Sequence, residues 1–164
     1  MADQSVNQLT DYQRIRAAIE APLLTAFNSQ VPPVPVYFDN ITAVPPDAPN
    51  EYVRVNLTFG MMGVCGLSSS LKNARGALII RCFAPIGGGP ARCQELIAIA
   101  AGIIQQLGAS RKTNSHVFVR TSEIVGPDFF QERTESIEAS LANYVPHFMG
   151  KISTGWQATV PCSD

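Results

Sequence analysis

Charge is scarce in this chain, and what there is nearly cancels: 12 basic residues stand against 13 acidic ones in 164, and charged residues make up only 15%. The basic residues are scattered along the sequence, which counts against nucleic acid as the main partner and against sequence-specific nucleic-acid recognition. Histidine is scarcer still, with His116 and His147 alone, and the four cysteines, Cys65, Cys82, Cys93 and Cys162, form no C-x-x-C pair. That spacing points to no metal site, and we read all four as reduced thiols, Cys82 and Cys162 packing as small apolar residues in strands, Cys93 on a helix and Cys65 in a loop. The longest apolar run, Leu96 to Ile104, is too short to span a bilayer, so no membrane partner is expected. Met1 to Gln8 lacks the basic and apolar segments of a secretory signal, so the expectation is a soluble protein made inside the cell.

Against those absences stands an apolar content of 46%, in a chain long enough to form one domain that buries roughly 70% of its unfolded surface. No internal repeat or low-complexity tract suggests a second domain. Ile15 and Ile19 lie one turn apart between Asp11 and Ala21, and with Tyr12 and Leu23 they form the stripe of a helix with one buried face. Pro22 would leave a carbonyl one turn earlier unpaired, so the helix should kink or restart there before ending near Asn28. The prolines between Gln30 and Pro35 then favour an extended segment leading into a short edge strand at Val36, Tyr37 and Phe38. From Tyr52 to Phe59 the alternation is clean, placing Val53, Val55, Leu57 and Phe59 on a buried face and Tyr52, Arg54, Asn56 and Thr58 on the other.

Residues 60–73, GMMGVCGLSSSLKN, read as a glycine- and serine-rich connector that also carries Met61, Met62, Val64 and Leu67. Apolar residues on a connector need a covering surface, supplied either by the chain's own core or by a neighbouring subunit. Gly76 to Phe83 is apolar on both faces, as in a central strand, and Ala84-Pro85 ends it. A turn at Gly87-Gly88-Gly89 leads into a helix starting near Pro90, with Leu96, Ile97, Ala100, Ile103, Ile104 and Leu107 on one face and Gly108 as a stop signal. Val117, Phe118 and Val119 have strand propensity, and a closing strand alternates from Lys151 to Val160 with Trp156 among its inward positions. Residues 125–150 show no clear period; Phe129, Phe130, Phe148 and Met149 imply that the segment is nevertheless ordered against something.

Few of these residues suggest bond chemistry. A strand, three glycines and a helix invite a phosphate-binding reading, but no G-x-x-x-x-G-K-[ST] is present and Pro90 removes an amide donor. Neither histidine lies in a recognisable serine or cysteine motif. Glu132, Glu135 and Glu138 would share one helix face, which reads as a solvated acidic surface rather than a paired-carboxylate site. We therefore expect no catalytic residue, no cofactor and no enzyme activity.

Arg75-Gly76, Phe83-Ala84-Pro85, Gly87 to Gly89 and the near-terminal strand Trp156 to Pro161 together resemble the tail terminator-like family of tailed bacteriophages. The likeness spans about two thirds of the chain, and its elements are structural. It implies an α+β subunit, with a central, mostly antiparallel sheet packed by two main helices, that assembles with itself as a ring, commonly a hexamer. Such a virion protein caps the completed tail tube, ends its polymerisation and joins the tail to the head or neck. Tail tube protein and a head-completion protein would be its partners. Another neck role, head closure or tail completion, is the alternative within this class, and a small-ligand or nucleotide-binding enzyme the alternative outside it. Residues 125–150 depart from the family pattern and look like an inserted interface arm. On this reading Met61, Met62, Val64, Leu67, Phe129, Phe130, Phe148 and Met149 are the candidate contact residues.

Overall fold

A computed structural model describes residues 11–39, 50–64, 71–109, 117–120, 123–130 and 147–161. Helix α1, Asp11–Asn28, buries Ile15, Ile19, Leu23 and Phe27, a strict four-residue period that places one stripe against the core. It runs through Pro22 as one element instead of restarting there. The chain then folds back on itself: the Val34 amide donates to the Phe27 carbonyl at 3.1 Å, and the Val53 amide donates to the Pro35 carbonyl at 2.9 Å. Those two bonds set strand β1, Val36–Phe38, parallel to strand β2, Tyr52–Val64, with Val36 opposite Val53.

Strand β3, Leu71–Pro85, pairs antiparallel with β2 on one side and with strand β6, His147–Pro161, on the other, so it is the central strand that its two apolar faces predicted. The short strand β4, Val117–Val119, and strand β5, Glu123–Phe130, both pair with the outer side of β6, β4 opposite Trp156 to Ala158 and β5 opposite His147 to Ser153. The sheet order is β1-β2-β3-β6-β4, with β5 beside β4 along β6. Among the described strand pairs only β1–β2 is parallel. Helix α2, Pro90–Ala109, follows β3 through a single 3-10 turn at Ile86–Gly88. The molecule is thus an α+β fold, a six-stranded, mostly antiparallel sheet packed by two helices.

One core joins these layers. Val53, Val55 and Leu57 of β2, Leu78, Ile80 and Cys82 of β3, and Ile152, Trp156 and Ala158 of β6 meet the buried stripes of α1 and of α2, the latter formed by Cys93, Leu96, Ile97, Ala100 and Ile104. Because these strand residues alternate with the others, both helices lie on one face of the sheet, and no helix among the described residues lies on the opposite, helix-free face. Gly108 does not stop α2 but lies within it; a Cβ there would sit 2.8 Å from the Val119 carbonyl oxygen, so its role is to let the last turn approach β4.

Two expectations require correction. Residues 60–73 are not a loose connector at either end: Gly60 to Val64 continue β2, Leu71 to Asn73 begin β3, and Val64 pairs with Lys72. Glycine and serine content suggested a loop, but the β3 arm is fastened across its other side by β6, with Lys72 opposite Val160, and pairing overrides weak propensity. Likewise 125–150 is not wholly an inserted arm, because 125–130 belongs to β5 and 147–150 to β6, bonded to each other.

Candidate assembly surfaces

Two of the motif residues behind the family resemblance, Gly76 and Trp156, meet in space. Phe59, Gly76 and Trp156 occupy one cross-strand row, Phe59 opposite Gly76 and Gly76 opposite Trp156. The Trp156 indole lies across Gly76, and its Nε1–H donates to the Thr58 carbonyl at 3.2 Å. Phe59 packs edge-on against Trp156, with centroids 5.0 Å apart, and Tyr12 of α1 packs edge-on against Phe59 at the same separation. A side chain at Gly76 would occupy the volume of that indole, so glycine is required there by close approach. Trp156 is buried and serves the core rather than a binding surface.

The glycine turn is a strand-to-helix corner. Gly89 has φ 71°, a left-handed conformation suited to glycine, and its amide donates to the Ile86 carbonyl at 3.0 Å instead of facing outward. Pro90 opens α2 without an N–H. The nearby cation is also committed: Arg92 reaches both carboxylate oxygens of Glu51, at 2.6 and 2.7 Å, and one of Glu95 at 2.8 Å. Hydrogen bonds to Glu51 and then to Glu95 hold its guanidinium more firmly charged than usual and tie the start of α2 to the approach to β2. At this corner the Gly89 amide and the Arg92 guanidinium are both committed to partners within the chain.

Cys82 and Cys93 are both buried, and the Cys93 thiol donates to the Cys82 carbonyl at 3.5 Å. Burial pushes both thiols above their ordinary pKa of 9.0, with the neighbouring Cys93 adding to the shift of Cys82. They pack as apolar groups and are poor nucleophiles. Cys65 and Cys162 lie outside the described residues.

On the helix-free face, Tyr52 is buried, although its position opposite Val53 predicted exposure. It stacks on Phe83 with centroids 4.4 Å apart, and it meets Tyr37 and His147 edge-on. His147 is buried too, its Nε2 3.3 Å from the Asn50 carbonyl oxygen, and it takes a packing place in this aromatic cluster.

The candidate contact residues fall in two groups. Met61, Met62 and Val64 lie at the far end of the β2–β3 hairpin, where the register shifts between Phe59 and Met62 before Met62 pairs with Ala74. Leu67 lies outside the described residues, as do Glu132, Glu135 and Glu138. Phe129 and Phe130 are β5 residues opposite Phe148 and His147 of β6, and Met149 stands between Phe83 and Asp128. Phe148 packs against the core and is half-buried, so it is a wall of the domain rather than part of a free arm.

At the hairpin end the sheet narrows to a ribbon. Among the described residues, β1 covers only Val53 to Val55 of β2, leaving Asn56 to Val64 without a strand on that side. On the opposite side, no strand among the described residues pairs with β6 beyond Ala158 through Pro161. The Asp39 carboxylate covers the beginning of the first open edge, accepting from the Leu57 amide at 2.8 Å and from the Asn56 side chain at 2.6 Å. Sequence patterning gave no signal for either edge, because edges are defined by which strands stop short.

No protein-family model matches this chain, and no curated protein matches it. Among solved structures, a protein that carries no functional name superposes with a TM-score of 0.56 over 90% of this chain and 94% of its own, at 22% sequence identity. A likeness at that identity concerns the fold alone. No helix among the described residues is long and apolar enough to cross a membrane.

Proposed function

We propose that the chain is a structural ring subunit of a phage tail, which caps the completed tube, ends its polymerisation and joins the tail to the neck. The observation that carries this reading is a pair of edges on opposite sides of one ribbon that no strand among the described residues covers, Asn56 to Val64 on β2 and residues 159–161 on β6. Two different edges on opposite sides of one subunit suit a head-to-tail contact, which closes into a ring when the rotation between copies permits. Met61 and Met62 lie within the first edge, and methionine's adaptable shape suits a contact surface. The function is mechanical: one face occupies the growing end of the tube, and the other is a face on which a further tube ring cannot add. The role needs no catalytic group.

Light scattering of the purified protein, alone and with tail tubes, tests the reading. A closed oligomer with a mass that is an integral multiple of 17.7 kDa, six-fold for a hexamer, is expected alone or upon contact with tube. A protein that stays monomeric under both conditions contradicts it.

A further inference from the structure

Five of the chain's 12 basic residues, scattered in sequence from position 54 to 151, are gathered by strand alternation onto the helix-free face of the sheet. Arg54, Arg81 and Lys151 lie in one cross-strand row, Arg54 opposite Arg81 and Arg81 opposite Lys151. Each stands between residues that point into the core: Val53 and Val55, Ile80 and Cys82, and Gly150 and Ile152, where a Cβ on Gly150 would meet the Ile97 side chain of α2. Arg75 shares this face, because its neighbour Gly76 faces the Trp156 ring on the other. Arg120 joins them from the end of β4, its Cδ 3.8 Å from where a Cβ on Gly155 would be, and Gly155 lies between the inward-facing Thr154 and Trp156.

The acidic residues lie mostly elsewhere. Asp11 and Glu20 belong to α1, Glu51 and Glu95 are paired with Arg92, and Asp39 sits at the β2 edge with Asn56, Leu57 and Arg16. Among the described strand residues, two acidic ones, Glu123 opposite Ser153 and Asp128 opposite Met149, hold register positions on this face, against the five basic ones. Arg81 donates at 2.6 Å to the Asn56 amide oxygen, a neutral acceptor, and Arg54 lies over the Tyr52 ring at 5.7 Å. Like charges directly opposite one another in a sheet are destabilising, and Arg81 stands directly opposite Lys151. A polyanion laid on the face would relieve that repulsion.

We propose that this face binds the phosphate backbone of nucleic acid without reading its sequence. The spacing suits a backbone: the row of three spans roughly 10 Å across strands, and Arg75 lies roughly 20 Å along β3 from Arg81. Between the cations stand Thr58, Ala77, Ile79, Ser153, Gly155 and Gln157; apart from Ile79 these are small or hydrogen-bonding residues that let a phosphate strand approach. Phe118, 41% exposed and opposite Gln157, stands on this face beside Arg75 and Arg120, whereas Tyr52, Phe83 and His147 form a buried cluster elsewhere on it. Both Arg75 and Arg120 are exposed. The inference does not rest on the ring reading, since a monomer presents the face as well.

Fluorescence anisotropy of a labelled 20-base-pair DNA duplex with the full chain, titrated at 50 and 200 mM salt, tests it. With about four phosphates neutralised per protomer, affinity should fall about a hundredfold between the two salt concentrations. Arg75→Glu with Arg120→Glu should weaken binding at least tenfold at 50 mM and flatten the log–log salt slope by about 2, whereas Arg14→Glu on the exposed side of α1 should change neither. If circular dichroism shows the double variant misfolded, Arg75→Gln with Arg120→Gln takes its place with the same expectation. Absence of binding at 50 mM overturns the proposal, as does an equal loss in Arg14→Glu. Poly-L-glutamate of matched charge displacing the duplex as well as unlabelled duplex does also assigns the face to an acidic protein instead, and so overturns it. Light scattering on the same samples keeps this outcome separate from that of the ring.

Discussion

Replacing Gly76 by alanine tests the contact that joins the two ends of the described chain. The added Cβ would lie 2.6 Å from Cε2 and Cζ2 of Trp156 and would collide with the Thr58 carbonyl oxygen. Neither neighbour can easily give way. The carbonyl belongs to β2, held by β3 on one side, and the indole is buried against Phe59 with its N–H bonded to that same carbonyl. Forcing one methyl into a packed site costs about 1–3 kcal/mol. Displacing the indole far enough to lose its hydrogen bond leaves a buried donor unsatisfied, a further ~1–3 kcal/mol. The sum, about 2–6 kcal/mol, is a large fraction of the ~5–15 kcal/mol that stabilises a typical domain. Urea unfolding followed by the fluorescence of Trp156, the single tryptophan of the chain, measures it directly. A Gly76→Ala protein within 0.5 kcal/mol of wild type refutes the reasoning. Combining Gly76→Ala with Trp156→Leu, followed by circular dichroism, separates the two clashes. Partial rescue is expected, because the ring clash is removed while the carbonyl clash stays; full rescue would show that the backbone contact is unimportant.

Gly150→Ala should be milder, about 1–2 kcal/mol, because its new methyl meets the flexible end of Ile97, with Cγ1 at 2.6 Å, rather than backbone; pairing it with Ile97→Val should recover most of that loss in the same urea assay. For Cys82, the folded state resists ionisation while the unfolded thiol titrates at 9.0, so above that pH the unfolded chain binds fewer protons and stability falls as pH rises. The slope from this thiol should approach about 1.4 kcal/mol per pH unit and disappear in Cys82→Ala, with an unchanged slope counting against its burial. Met61→Asp with Met62→Asp should lower the oligomer mass seen by light scattering while leaving the far-ultraviolet circular dichroism of the monomer intact; an unchanged mass removes this end of the hairpin from the contact.

The regular elements were legible wherever one period dominated. Val53, Val55 and Leu57 alternate over a single core, Leu96, Ile97, Ala100 and Ile104 recur at helical spacing, and both patterns appear in the fold as read. Local composition misled where pairing decides the conformation: Gly60 to Val64 and Leu71 to Asn73 read as a loop but pair in a ribbon, which β6 fastens along its β3 side through Thr159 to Pro161, far along the sequence. Tyr52 read as solvent-facing because alternation assigns a face but not what covers it. The partnership of Gly76 with Trp156 appeared in sequence only as two separate motif positions. Arg54, Arg75, Arg81, Arg120 and Lys151 looked dispersed because their convergence depends on the register of β2, β3, β6 and β4, which no local window contains.

The central claim is that this subunit ends a polymer. Electron microscopy of tail tube protein polymerising with and without the purified chain measures that most directly, through the distribution of tube lengths and the appearance of the tube ends. Shorter tubes bearing a distinct ring at one end, with Met61→Asp and Met62→Asp together abolishing the effect, are the predicted result. Tubes of unchanged length with bare ends would contradict it.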